Sequence, residues 1–133
     1  MREEEMHHHG QDNQTTRNRM RRIFKAKGNT TRRAAGKMNK TEEAYSRTLQ
    51  ERKLRGEIHH WQFEAMALRL ADRTTYTPDF FIIMADGSIV FHEVKGFWQG
   101  TGRVKIKVAA ELHPWFTFTA VQLKKKEWVY EQF

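Results

Sequence analysis

The residues best suited to chemistry are two carboxylates and a lysine, at Asp79, Glu93 and Lys95. Glu93 and Lys95 are two positions apart in an apolar stretch typical of a β-strand, so their side chains project from one face. Two carboxylates held close together repel each other unless a cation lies between them. Carboxylate oxygens suit Mg²⁺ or Mn²⁺, with the remaining positions taken by water and a phosphate oxygen. The pattern predicts a cation held by Asp79 and Glu93, with Lys95 stabilising developing charge or orienting the attacking water.

Each of these residues also has a simpler explanation. Asp79 follows Pro78, and Asp is common in turns. Glu93 and Lys95 could form an ion pair on a solvent-facing strand, where such pairs contribute little to stability. Their combination within an apolar hairpin favours catalysis over these separate explanations.

The turn between the two segments decides whether Asp79 joins Glu93. A two-residue loop at 86–87 would place Phe80 opposite Glu93 and turn Asp79 to the other face. A three-residue loop at 85–87 has Gly87 where a left-handed residue is required. That loop sets Asp79 opposite Glu93, with Cβ atoms about 5 Å apart. We predict the three-residue loop.

A helix is predicted before these strands, at residues 41–55. Thr41 is a suitable N-cap and Gly56 a suitable stop. Glu42 and Glu43 would complement the helix dipole in the first turn. The buried stripe of this helix is predicted to contain Tyr45 and Leu49, extended by Leu54 and the stems of Arg52 and Lys53.

The other elements follow from apolar patterning and turn residues. Residues 79–84 and 88–95 form the clearest strand pair. The remaining predictions are one or two short strands in 58–70, a helix at 103–112, a strand at 115–123 and an unassigned tail at 124–133. The fold class is therefore predicted to be α/β.

The charge of the chain is strongly positive, with 24 Lys and Arg against 16 Asp and Glu and a formal net charge of +8. This balance favours a polyanionic partner such as DNA. Residues 1–40 are predicted to be a largely disordered basic arm, and residues 41–133 the folded domain. Residues predicted to contact DNA phosphates are Arg17, Arg19, Arg21, Arg22, Lys25, Lys27, Arg32, Arg33 and Lys37 in the arm, with Lys105 and Lys107 in the second helix.

Several classes of protein are disfavoured by composition. Cysteine is absent, which excludes disulfides and thiolate zinc sites. No apolar run approaches the roughly 20 residues of a membrane-spanning helix, and no export signal is visible. The expectation is a cytoplasmic protein without a membrane partner.

Several motifs follow one another in order: Tyr76-x-Pro78-Asp79-Phe80, the hairpin with Gly87, Glu93-Val94-Lys95-Gly96-Phe97-Trp98, and a basic helix ending at His113-Pro114. Their order and spacing resemble the PD-(D/E)xK nuclease superfamily. Over about residues 41–121 they look like the phage endonuclease I type of Holliday-junction resolvase and related small phage nucleases, which implies a location in the host cytoplasm if a phage encodes the protein. The resemblance implies a restriction-endonuclease-like mixed sheet flanked by helices, two-metal phosphodiester hydrolysis and a homodimer.

Carried over residue by residue, the resemblance makes Asp79 and Glu93 the metal ligands and Lys95 the catalytic lysine. It also asks for a glutamate on the preceding helix. Glu43 is the first candidate, and Glu42 and Glu57 remain alternatives.

The sequence thus predicts a metal-dependent DNA endonuclease, a hydrolase that could be selective for branched DNA. The alternative is a nucleic-acid-binding protein on a nuclease-like fold without turnover. A third hypothesis is a structural component of a phage or recombination complex, whose arm binds an acidic protein.

Overall fold

The computed structural model describes residues 36–98 and 100–133, and helix α1 (Lys40–Leu54) is its first element. Its N-cap is Asn39, whose side chain accepts a hydrogen bond from Glu42 N while the Glu42 side chain accepts one from Asn39 N. This reciprocal capping box satisfies two backbone donors that a helix would otherwise leave unpaired. The predicted N-cap, Thr41, is therefore wrong by two residues. The predicted end is confirmed, since Gly56 has a φ of +81°.

Seven strands and a second helix follow α1. They form a five-stranded sheet in the order β1-β4-β5-β6-β7 and a separate β2-β3 hairpin. Within the large sheet only β5 and β6 are parallel, and helix α2 (Gly100–Leu112) connects them. The fold is therefore α/β with a mixed sheet and two helices in the part described. The strands are β1 (Ile58–Phe63), β2 (Leu68–Ala71), β3 (Thr74–Tyr76), β4 (Phe80–Met84), β5 (Ile89–Lys95), β6 (Thr117–Lys124) and β7 (Glu127–Gln132).

The main core lies between α1 and one face of the large sheet. Tyr45 and Leu49, both predicted to be buried, are fully buried in it. The strand residues of this core are Ile58, Phe80, Ile82, Val94 and Val121. Leu54 is 79% exposed, so its predicted burial is wrong, because α1 ends at this residue and leaves its last turn beyond the core.

Most predicted elements are confirmed, with shifted boundaries. The segment 58–70 contains β1 and the start of β2, the clearest strand pair is β4–β5, and the predicted strand 115–123 corresponds to β6. The unassigned tail contains β7, and β3 was not predicted because three residues carry too little pattern. Neither described helix has the length and apolar composition needed to cross a membrane.

The predicted basic arm lies almost entirely outside the described residues. Of its candidate DNA contacts only Lys37 is described, and it is exposed. The arm's boundary at residue 40 and its contacts with phosphate therefore stay predictions. The nine arm positions concerned are Arg17, Arg19, Arg21, Arg22, Lys25, Lys27, Arg32, Arg33 and Lys37.

Candidate active site

The turn between β4 and β5 has the three-residue loop that the sequence predicts. Met84 and Ser88 close it, with Met84 N donating to Ser88 O at 2.9 Å. Gly87 has a φ of +87°, the left-handed conformation that the loop requires at this position. Asp86 stabilises the turn through its side chain, which accepts hydrogen bonds from Ser88 N and Ser88 Oγ at 2.9 and 2.6 Å.

This loop sets the register that brings the two carboxylates together. Phe80 pairs with His92 across β4 and β5, so the preceding residue, Asp79, lies opposite Glu93. Asp79 N donates to Glu93 Oε2 at 3.2 Å, and Asp79 Oδ2 accepts a hydrogen bond from Val94 N at 2.8 Å. Residues opposite each other in an antiparallel pair project to the same face. The predicted convergence of Asp79 and Glu93 is therefore confirmed.

Lys95 and Tyr76 complete the contacts around Glu93. Lys95 Nζ lies 3.2 Å from Glu93 Oε1, and Tyr76 Oη donates to Glu93 Oε2 at 2.6 Å. The Glu93 side chain is only 11% exposed and Asp79 is buried, whereas Lys95 is 34% exposed. A solvent-facing ion pair would not bury its carboxylate in this way. The arrangement favours a built site over the simpler explanation.

Tyr76 is a functional candidate that sequence reasoning did not single out. Its position two residues before Pro78 belonged to the motif, but its role depends on β3, the strand that was not predicted. Burial and the neighbouring Glu93 carboxylate raise the pKa of Tyr76 well above its usual value. The hydroxyl therefore keeps its proton and acts as a donor that orients Glu93.

The close carboxylates make the protonation of Asp79 unusual. Burial, followed by the negative charge of Glu93, raises the pKa of Asp79 to about 8, although Lys95 and the Val94 N–H oppose the shift. For Lys95, burial lowers the pKa, but the charges of Glu93 and Asp79 outweigh it and the net shift is upward. Lys95 is therefore a protonated side chain that pairs with Glu93 and partly offsets the repulsion between Glu93 and a charged Asp79.

Of the three candidate helical glutamates, the geometry favours Glu42. It is only 2% exposed, and its charge contributes to the pKa shifts of both Asp79 and Lys95. The first turn of α1 also lies beside the end of β5, since a Cβ at Gly96 would be 3.7 Å from Thr41 Oγ1. The position of Glu42 follows from helical spacing, because residues 42, 45 and 49 share one face.

Glu43, the first candidate from the sequence, lies on the outer face of α1. Its side chain is 61% exposed and pairs with Arg47 at 3.5 Å. Glu57 is exposed beyond the other end of α1 and pairs with Arg52 and Arg55. The structure brings neither residue into contact with the carboxylate pair, and a catalytic role for Glu43 stays a prediction.

The donor set of the site fits a hard divalent cation. Within residues 36–98 and 100–133, no three His, Cys, Asp or Glu side chains are grouped so as to hold a metal ion. Mg²⁺ is commonly held by one or two carboxylates, and water and substrate phosphate supply its other ligands. The facing carboxylates of Asp79 and Glu93 meet that smaller requirement.

The two lysines of α2 do not form one DNA-binding face. Lys107 is exposed and Lys105 is half-buried. Residues two apart on a helix point in different directions, so both side chains cannot contact the same stretch of backbone from one face. Contact of either lysine with DNA stays a prediction.

No protein-family model, curated protein or solved structure matches this chain. The geometry of the described residues therefore carries the functional argument.

Proposed function

We propose that the protein is a metal-dependent DNA endonuclease that hydrolyses phosphodiester bonds. The proposal rests on one observation, the convergence of Asp79, Glu93 and Lys95 at the end of the β4–β5 hairpin, where Asp79 is buried and the Glu93 side chain is 11% exposed. The α/β fold with a mixed sheet is compatible with the restriction-endonuclease-like architecture that the PD-(D/E)xK resemblance implies.

Asp79 and Glu93 are the proposed ligands of Mg²⁺ or Mn²⁺. A bound cation of this kind polarises a phosphoryl oxygen and lowers the pKa of a coordinated water. Tyr76 and the Asp79 N–H hold Glu93 Oε2 in place, which fixes the orientation of that carboxylate before substrate arrives. Preorganised ligands reduce the reorganisation required during the reaction.

Lys95 is the proposed electrostatic catalyst. Its ammonium group is protonated, is held 3.2 Å from Glu93 Oε1 and is one-third exposed, so a phosphate at the site could reach it. A positive charge at this point stabilises the negative charge that develops on the phosphate in the transition state.

DNA is the proposed substrate because the chain has a formal net charge of +8 and a lysine- and arginine-rich segment before residue 40. Such a segment supplies affinity for phosphates without sequence selectivity. Selectivity for four-way junctions and a homodimeric state rest on the resemblance to the resolvases, and belong to the same proposal.

The first test measures cleavage of labelled linear duplex and four-way junction DNA with Mg²⁺, Mn²⁺ or EDTA. The Lys95→Ala and Asp79→Asn variants should bind DNA but cut it at least about 100-fold more slowly, since each removes transition-state stabilisation. Lys53→Ala, which removes an exposed lysine from α1, is the matched control and should cut at the wild-type rate.

Each outcome decides between the hypotheses. Cutting by Lys95→Ala and Asp79→Asn at the wild-type rate would remove the assignment of the site. Wild-type binding without metal-dependent cutting on either substrate would favour the non-catalytic nucleic-acid-binding protein. Preferential cutting of the junction would support the resolvase-like specificity.

A further inference from the structure

A second polar pocket lies on the sheet face that α1 covers. Its volume is about 550 Å³, within the range of roughly 300–1,000 Å³ that is usual for small-molecule sites. The side chains that line it come from α1, β5, β6 and β7. They are Arg52, His92, Thr119, Tyr130 and Gln132.

This pocket is separate from the candidate active site. His92 precedes Glu93 in β5, and adjacent residues of a strand project to opposite faces of the sheet. Thr119 pairs with His92 in the neighbouring parallel strand and with Gln132 in the following antiparallel one. These three residues therefore belong to the face opposite Asp79, Glu93 and Lys95.

His92 is a buried polar group with capacity for a ligand. It is 6% exposed, and its Nδ1 lies 2.6 Å from Tyr45 Oη. No hydrogen bond to its Nε2 is found among the described residues, and this nitrogen is the one left for the pocket.

The charge of the pocket is set by Arg52, because its lining contains no carboxylate. Arg52 Nε donates to Glu57 Oε2 at 2.8 Å, outside the lining, and the side chain is 24% exposed. An arginine of this kind presents its terminal N–H groups as a planar fork that matches phosphate. Thr119 and Gln132 add neutral hydrogen-bonding groups beside it.

Tyr130 supplies an aromatic wall. It is about half exposed, and its ring centroid lies 6.1 Å from that of His92. Aromatic side chains of this kind are suitable surfaces for stacking by a planar ligand ring. The pocket thus combines a cationic end, a buried imidazole and an aromatic surface.

We propose that this pocket binds a phosphate monoester with a planar ring, of the size of a nucleoside monophosphate. The phosphate contacts Arg52, the polar part of the ligand reaches His92 Nε2 and Thr119, and the planar ring packs on Tyr130. This binding requires neither the divalent cation nor the carboxylate pair, so it is independent of the proposed nuclease activity.

The test titrates the full chain with dAMP in EDTA by calorimetry, and follows the His92 imidazole resonances by NMR. Inorganic phosphate and deoxyadenosine, tested separately, report the contributions of the phosphate and of the ring. Arg52→Gln should weaken dAMP binding at least about tenfold by removing a charge-assisted contact. Thr119→Val should weaken it less, because a neutral hydrogen bond is lost.

Two controls distinguish this pocket from other basic surfaces. Arg55→Gln removes an arginine that also pairs with Glu57 but does not line the pocket, and it should leave binding within about twofold. Asp79→Asn should also bind normally. Absence of dAMP binding up to about 10 mM, weaker than any useful affinity, would overturn the proposal. Binding that Arg52→Gln leaves unchanged would overturn it too, by assigning the affinity to the basic arm.

Discussion

Asp79 illustrates how one side chain can oppose folding and serve chemistry. Its pKa of about 8 lies above the usual 3.8 because burial and Glu93 disfavour the charged form. The folded protein without metal therefore holds a proton that the unfolded chain releases. The unfolding free energy is therefore highest below about pH 4, where Asp79 is protonated in both states. It falls as the pH rises from there through about 8, where the folded protein must also release the proton.

The pH dependence of the unfolding free energy tests this environment of Asp79. In EDTA, the unfolding free energy of the wild type should fall by roughly 2–4 kcal/mol more than that of Asp79→Asn between about pH 5 and pH 9. Asn keeps the shape of the side chain but cannot titrate. Urea denaturation at the two pH values measures the difference. Equal pH slopes for the two proteins would contradict the buried, Glu93-coupled environment assigned to Asp79.

Divalent cation should reverse the effect at the upper pH. A cation between Asp79 and Glu93 stabilises the charged form, so Mn²⁺ at about pH 8–9 should raise the wild-type unfolding free energy. The Asp79→Asn variant serves as the control and should gain much less.

The spacing of residues on α1 determines which glutamate lies beside the candidate site. Glu42 shares the face of Tyr45 and Leu49, whereas Glu43 is rotated towards solvent. The sequence contained this signal, since the buried stripe 45–49 extends backwards to position 42. From the sequence, Glu42 is only an alternative to Glu43, because the predicted N-cap at Thr41 places both glutamates in the first turn, where dipole complementarity applies to either.

Substitution of Glu42 and Glu43 by glutamine tests which of these two residues of α1 contributes to the candidate site. Glu42→Gln should slow DNA cleavage about tenfold or more by removing a negative charge beside Asp79 and Lys95. Gln still supports a capping box, so α1 should keep its stability. Glu43→Gln should cut at the wild-type rate. Slower cleavage by Glu43→Gln than by Glu42→Gln would instead assign the helical glutamate of the site to Glu43.

The sequence predicted those parts of the fold that depend on local pattern. The β4–β5 hairpin, its loop length and the pairing of Asp79 with Glu93 all follow from turn chemistry and strand alternation. The contact of Tyr76 with Glu93 depends on β3, and the pocket around His92 depends on which strands neighbour β5. Both are set by tertiary pairing, for which local pattern contains no signal.

At the scale of the whole chain, positive charge is expected to govern DNA affinity. Each phosphate contact that is lost should reduce the slope of log affinity against log salt by about 0.9. The combined substitution of Arg21, Arg22, Lys25 and Lys27 by Gln should therefore lower this slope by up to about 3.6. Fluorescence anisotropy at several salt concentrations measures it. The cleavage rate of this variant at saturating DNA should stay near that of the wild type. An unchanged slope would show that these residues do not contact DNA.

The length of the exposed loop at residues 85–87 sets the register of the β4–β5 hairpin. Asp79 lies five residues before Met84, so at about 3.3 Å per strand residue the loop is roughly 16 Å from the carboxylates it aligns. The Ala85 side chain faces solvent and can vary, whereas Gly87 is held by its positive φ and the length of the loop is fixed by the register. Removing one residue would shift Asp79 out of phase with Glu93 and would also turn Phe80 and Ile82 away from the core. Evolution of this hairpin should therefore tolerate exchange at Ala85, retain Gly87 and reject single insertions or deletions.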